Sequence, residues 1–375
     1  MSTTALRKSL MAITVAAFCA AAISLLALAA PASAAGKLIN EIPDKVQITG
    51  EVTSGTVHCY ADIDNGGITR VDLKSATLVG SIIVNDEEAV IRNSGKSYVK
   101  EGEIWFANGG EFRGTGTLYS YNRIYFSSWG RVDNDSSSSK YPFTLRAYEG
   151  IICQDSEFAV YGKAKVYAKD TDGTAIGAAS LTIFKGYVNA KGKYYGVYVD
   201  DEVYLKKSSA NKIYAYSTAA SSEGEYERFA AIKCGEMYNS GYVYAKASGK
   251  KSVGILCDKS LQLKSDSTTK AYAKYSGGVG IGFTGEAKFD DAYVVAKGYN
   301  CGIRGYGAVI DGDPISPTLM IDDGKTYAYG VNTKDKKVGS GIYLEAYDPD
   351  SETVELAYIG ISGGAYVKAR AKSST

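Results

Sequence analysis

Histidine occurs once in this sequence of 375 residues, at His58, and proline only six times. One histidine leaves any imidazole-based acid–base chemistry resting on a single residue. His58 sits in Val57-His58-Cys59-Tyr60 with no carboxylate cluster near it in sequence. A general base needs a placed partner, so His58 reads as a structural strand residue. Few prolines beside 42 glycines and 31 tyrosines describe a turn-rich all-β chain, not a disordered one. An excess of either charge is also missing: Lys plus Arg is 42 and Asp plus Glu is 41. The basic surplus of a nucleic-acid binder is absent, and no nucleic-acid partner is expected.

Long apolar runs are confined to the N-terminus. Arg7 and Lys8 precede an apolar stretch from Met11 to Ala30, and Pro31-Ala32-Ser33-Ala34 follows. Ala32 and Ala34 form the small-x-small site of a secretory signal peptide, so 1–34 is expected to be cleaved and the protein secreted or placed at the cell surface. An uncleaved anchor is the other reading, because the run approaches the ~20 residues that span a bilayer. Cys19 follows Phe18, where a lipoprotein signal needs a small residue. No membrane span is expected after signal cleavage.

Repetition dominates the remainder. A first block recurs as Lys165-Val166-Tyr167-Ala168-Lys169, Tyr187-Val188-Asn189-Ala190-Lys191, Tyr242-Val243-Tyr244-Ala245-Lys246 and Lys270-Ala271-Tyr272-Ala273-Lys274. Small or branched apolar residues alternate with Tyr and Lys, the period of a half-buried strand. A second block reads Gly150-Ile151-Ile152-Cys153, Gly254-Ile255-Leu256-Cys257, Gly280-Ile281-Gly282-Phe283 and Gly302-Ile303-Arg304-Gly305. A weaker third strand follows, as in Val203-Tyr204-Leu205 and Leu261-Gln262-Leu263. The second-block glycines step by 26 residues from Gly254 to Gly280 and by 22 from Gly280 to Gly302. Repeats of that length with only strand signals predict a solenoid whose stacked units close a common core.

The fold expected is therefore all-β: a right-handed parallel β-helix of three-stranded coils, forming one elongated body. Its parts would be a signal peptide (1–34), an N-terminal cap with irregular coils (35–149) and regular repeats (150–375). A separate β-sandwich in the less regular N-terminal part is the alternative. The Gly-Ile-x-Cys and Val-x-Ala-Lys columns resemble the parallel β-helix repeats of bacterial cell-surface proteins of pectin-lyase-like fold, described as carbohydrate-binding or adhesin-like. That resemblance implies a fold more than an activity.

The same group of folds includes polysaccharide lyases and glycoside hydrolases. Their polygalacturonases carry Asn-Thr-Asp, Gly-Asp-Asp, Gly-His-Gly and Arg-Ile-Lys motifs. The nearest strings here are Asn332-Thr333-Lys334 and Arg123-Ile124-Tyr125, which lack that chemistry. The pairs Asp200-Asp201, Asp290-Asp291 and Asp322-Asp323 put neighbouring carboxylates on opposite faces of a strand, whereas glycosidases need two facing across the substrate. They read as solvated turn residues, with a calcium site as the alternative; the Gly-Gly-x-Gly-x-Asp nonapeptide is absent. No catalytic residue, metal site or cofactor is assigned.

Cys153, Cys234 and Cys257 occupy the place held by Val199, Phe283 and Leu344 in other repeats. They are expected to be buried thiols acting as small hydrophobes. Ligand binding is expected on the first block. Tyr167, Tyr214, Tyr244, Tyr272 and Tyr327 are read as one outward column, flanked by Lys246, Lys274 and Lys297. The expected function is a non-catalytic exported surface protein binding glycan (a polysaccharide or glycoprotein glycan) or envelope or host material along this face. A polysaccharide-cleaving enzyme and a ligand-free structural stalk are the rival readings.

Overall fold

A computed structural model of the chain describes residues 45–49, 52–54, 57–60, 70–85, 89–134, 142–221, 228–310, 313–330, 339–346 and 356–371. All belong to one compact unit, Leu38–Thr375. The signal peptide, Cys19, most of the Asp133-to-Lys140 loop and Asn332-Thr333-Lys334 lie outside the described residues, as do the side chains of His58 and Cys59.

Strands account for most of the described chain, and no helix occurs among the described residues. They form a sheet of 13 strands and a sheet of 23, in which neighbours run parallel. Among the described residues the one antiparallel pair is Ala308–Ile310 with Asp313–Ile315. Each strand pairs with its counterpart in the next repeat. The first-block strands make the 13-stranded sheet, called here the first row. The second-block and third strands share the larger sheet as second and third rows. The strands from Lys45 to Val132 pair in the same parallel manner and in the same two sheets.

Period-two alternation sorts the side chains. In the first row Val166, Val188, Ile213 and Val243 pair down one inward column, and Ala168, Ala190, Ala215 and Ala245 down the next; all are buried. The second row supplies Ile151, Ile176, Val197, Ile232, Ile255, Ile281 and Ile303 in unbroken register, each fully buried. Ile342 continues the column, half-buried against the same core. Each such isoleucine contributes ~1.5–3 kcal/mol by leaving water, and parallel stacking repeats that gain once per repeat.

A glycine precedes several of these isoleucines, with alanine in that place before Ile176 and Ile232, and at Gly254 and Gly280 it has a steric cause. A methyl group at Gly254 would lie 2.5 Å from the Gly280 carbonyl oxygen and 2.9 Å from the Tyr272 amide nitrogen. At Gly280 the corresponding distances are 2.6 Å to the Gly302 oxygen and 2.7 Å to the Lys297 nitrogen. Here the second row passes so close to the first-row backbone that no side chain fits.

Two of the polar residues that interrupt the core satisfy each other. Asn239 takes a third-row position between Leu205 and Leu263, and Thr269 a first-row position between Val243 and Val294. The Asn239 amide donates to Thr269 Oγ1 at 2.8 Å, and its carbonyl oxygen accepts from the Gly241 N–H at 2.8 Å. Pairing removes most of the penalty of burying either group alone.

The described cysteines are free thiols in the interior: Cys153, Cys234, Cys257 and Cys301. Cys234 and Cys257 are register partners, with Sγ atoms 3.5 Å apart.

Candidate functional site

The outward side of the first row carries three columns. Within a strand such as Tyr242–Ala247 they are occupied by Tyr242, Tyr244 and Lys246, each half-buried, with Val243 and Ala245 facing in. The expected single tyrosine column needs correction. Tyr214 and Tyr244 are register partners, but Tyr244 pairs with Lys270, and Lys270 with Val295, before Tyr327 is reached. Tyr272 belongs to the next column, between Lys246 and Lys297. The strand Thr268–Ala273 is thus shifted by two residues from the alignment its Lys-Ala-Tyr-Ala-Lys string suggests. A slip of two preserves which side chains face inward, so alternation alone cannot detect it. Thr269, polar but buried, holds a place taken by valine or isoleucine in the neighbouring repeats and by threonine again at Thr326.

The shift brings the aromatic rings together. Tyr244 lies 5.4 Å from Tyr272, 5.9 Å from Tyr214 and 5.8 Å from Tyr216, centroid to centroid. Lys297 Nζ stands 5.9 Å above the Tyr272 ring and 5.3 Å above that of Tyr329, within reach of a cation–π attraction. Tyr244, Lys246, Tyr272, Lys274, Lys297 and Tyr299 line a groove of about 470 Å³. Lys274 lies just past the end of its strand, exposed at the rim.

Tyr167 and Tyr327 stand apart from this groove. Tyr167 reaches Tyr214 through Tyr187, at 5.4 Å per step, and lines a smaller groove of about 300 Å³ with Arg146, Lys169 and Lys191. Tyr327 packs against Tyr293 and Tyr366, at 5.8 and 5.7 Å. Sequence reading missed Tyr187, Tyr216 and Tyr242. The signal was present: Tyr216 and Tyr242 lie two residues from Tyr214 and Tyr244, and Tyr187 precedes the inward Val188 as Tyr242 precedes Val243, so all three share the outward face.

The face is cationic throughout its described length. In first-row strands from Lys96 to Ala371, every outward charged residue is Lys or Arg. Their one acidic residue, Asp170, points inward and is 5% exposed. It accepts from the Gly173 N–H at 2.7 Å and from Arg123 at 3.2 Å. A chain of balanced charge has kept its carboxylates off the described outward face of this sheet. Burial, followed by neighbouring phenols, raises the pKa values of Tyr214, Tyr216, Tyr242 and Tyr272. These hydroxyls therefore stay protonated donors across the physiological range.

The three aspartate pairs do not gather in one place. Asp200 and Asp201 are exposed after a second-row strand, and Asp290 and Asp322 are register partners at the ends of third-row strands. Among the described residues no group of three or more His, Cys, Asp or Glu side chains is placed to hold a metal ion, and no helix is long and apolar enough to cross a membrane.

Compared with known protein families, curated proteins and solved structures, the chain matches none of them.

Proposed function

We propose that the protein is an exported, non-catalytic surface protein whose first-row sheet binds an acidic polysaccharide or glycoprotein glycan. We further infer that its parallel sheets close into a right-handed β-helix of the cell-surface, pectin-lyase-like kind. The exclusion of carboxylates from the outward first-row face carries the binding reading. Lysines held over tyrosine rings would pair with carboxylates or sulfates, while the rings offer flat apolar surfaces to sugar faces and hydroxyls to their edges. A groove open along a sheet suits a linear chain better than a compact ligand, and summed weak contacts along several repeats suit a polymer.

The test is a binding panel of polysaccharides matched in length, neutral, uronate-bearing and sulfated, at two salt concentrations. The reading expects binding to the anionic members that weakens as salt screens the lysines. Equal binding of neutral and anionic chains would reject it. Absence of binding throughout would favour a ligand-free stalk.

A further inference from the structure

The turns that lead from third-row to first-row strands form a second stacked feature, away from the tyrosine face, with an ordered charge sequence. In successive repeats they carry Lys163, Lys185, Lys206-Lys207, Ser240-Gly241, Asp266, Asp290-Asp291 and Asp322-Asp323. Backbone hydrogen bonds hold neighbouring turns in line: the Lys163 N–H donates to the Lys185 oxygen, Asp266 N–H to Asp291 (3.2 Å), and Asp291 N–H to Asp322 (2.7 Å). Three basic turns therefore lie on one side of a small, uncharged turn and three acidic turns on the other, at the ~4.8 Å step of paired strands.

Lys163, Lys185, Lys206, Lys207, Asp266, Asp291 and Asp323 are all exposed. Lys264 and Lys325 are exceptions within the acidic half, and Asp133, bridged to Arg131 at 2.6 Å, borders the basic half. Lys163 and Lys185 adopt left-handed backbone conformations, with φ of 69° and 63°, as do Asp266, Asp291 and Asp323. Aspartate is at ease there; lysine is not. Lysine thus stands at two strained positions, where it builds a run of like charge. The Lys207–Asp266 ion pair, 3.0 Å across the Ser240 turn, shows the two blocks attracting within one chain. The basic half also opens into a groove of about 500 Å³ lined by Tyr161, Phe184, Lys185, Lys206 and Lys207, with Asp133 its one acidic member.

We propose that this edge is a contact between two copies of the chain, packed antiparallel about a twofold axis at Ser240-Gly241. A twofold contact must be self-complementary. An edge that reads basic, neutral, acidic at equal intervals meets that condition: Lys163 faces Asp323 of the other copy, Lys185 faces Asp291, and Lys207, paired with Asp266 within its own copy, meets Asp266 of the other in a shared cluster at the axis. The axis repeats these three pairs, making six. Parallel, in-register packing would oppose like charges along the whole edge. The small central turn allows close approach, and the groove beside Lys185 receives the opposing carboxylates. Each pair is weak alone and screened by salt, so the contact is a reversible, salt-labile dimer. It does not depend on the glycan reading.

Sedimentation velocity of the purified protein tests it. At low ionic strength a dimer is expected, dissociating at about 1 M salt, where screening acts within ~3 Å. Lys163→Asp/Lys185→Asp/Lys207→Asp and Asp266→Lys/Asp291→Lys/Asp323→Lys should each weaken self-association by about tenfold or more while keeping the thermal midpoint. Combining all six substitutions swaps the halves and should restore the dimer. Ser240→Cys should then cross-link copies through the axis. A native chain that stays monomeric at low salt, a dimer indifferent to both triple substitutions, or a dimer in which Ser240→Cys fails to cross-link would each overturn the proposal.

Discussion

The Sγ atoms of Cys234 and Cys257 lie 3.5 Å apart, in register on adjacent parallel strands and buried in the core. Burial pushes the thiols of Cys153 and Cys301 up to about 12, and the pKa of Cys257 is raised by its hydrogen bond with Cys234 and by burial. Thiolate character and access are both removed. In the folded protein all four should resist alkylation for as long as the core stays closed. After unfolding without reductant, mass spectrometry should find each one alkylated. A quantitative Cys234–Cys257 disulfide would contradict this arrangement.

Core continuity predicts a large effect from a small deletion. Ile255 is fully buried between Ile232 and Ile281 in its column. Ile255→Ala should cost about 2–5 kcal/mol, read from chemical denaturation. Lys246→Ala, on the outward side of the first row, should stay within about 0.5 kcal/mol.

Close approach of backbones makes a different prediction for glycine. Gly280→Ala places a methyl 2.6 and 2.7 Å from backbone atoms of two neighbouring strands, which cannot yield as a side chain does. A loss of about 1–3 kcal/mol is expected, with the far-ultraviolet circular dichroism unchanged. A neutral outcome would mean that the two rows stand further apart.

The raised thiol values also set an alkaline limit. Cys153 and Cys301 are held protonated in the fold from the ordinary 9.0 up to about 12. Below pH 9 their contribution is intact. As pH climbs toward 12 the unfolded chain ionises first, and stability is lost. The thermal midpoint should fall over that window, and less steeply in Cys153→Val/Cys301→Val, since valine stands in both columns, at Val199 two strands from Cys153 and at Val279 beside Cys301.

Alternation made most of the inside-out pattern legible. Ile151, Ile232, Ile255, Ile281 and Ile303 face inward, and Lys169, Lys191, Lys274 and Lys297 outward, as a period of two dictates. Parallel pairing was legible in the repeat length. Register was not legible in Lys270-Ala271-Tyr272-Ala273-Lys274, because both alanines are inward and a slip of two leaves the pattern intact. Only the buried Thr269, bonded to Asn239 across the core, fixes it. The candidate face was half legible. Tyr244, Tyr272, Lys246, Lys274 and Lys297 do share one groove, while Tyr167 and Tyr327 sit elsewhere along the sheet. The lack of carboxylates on that face emerges only when the strands are laid in register.

The central claim is that this tyrosine and lysine face holds an anionic glycan, and titration calorimetry with an anionic polysaccharide selected by the binding panel tests it most directly. Three proteins suffice: the native chain, Tyr244→Ser/Tyr272→Ser and Lys246→Glu/Lys297→Glu. The account predicts that both variants keep the native thermal midpoint within a few degrees and lose affinity by about tenfold or more, equivalent to ~1.4 kcal/mol. Native affinity in both variants, with the fold intact, would contradict it.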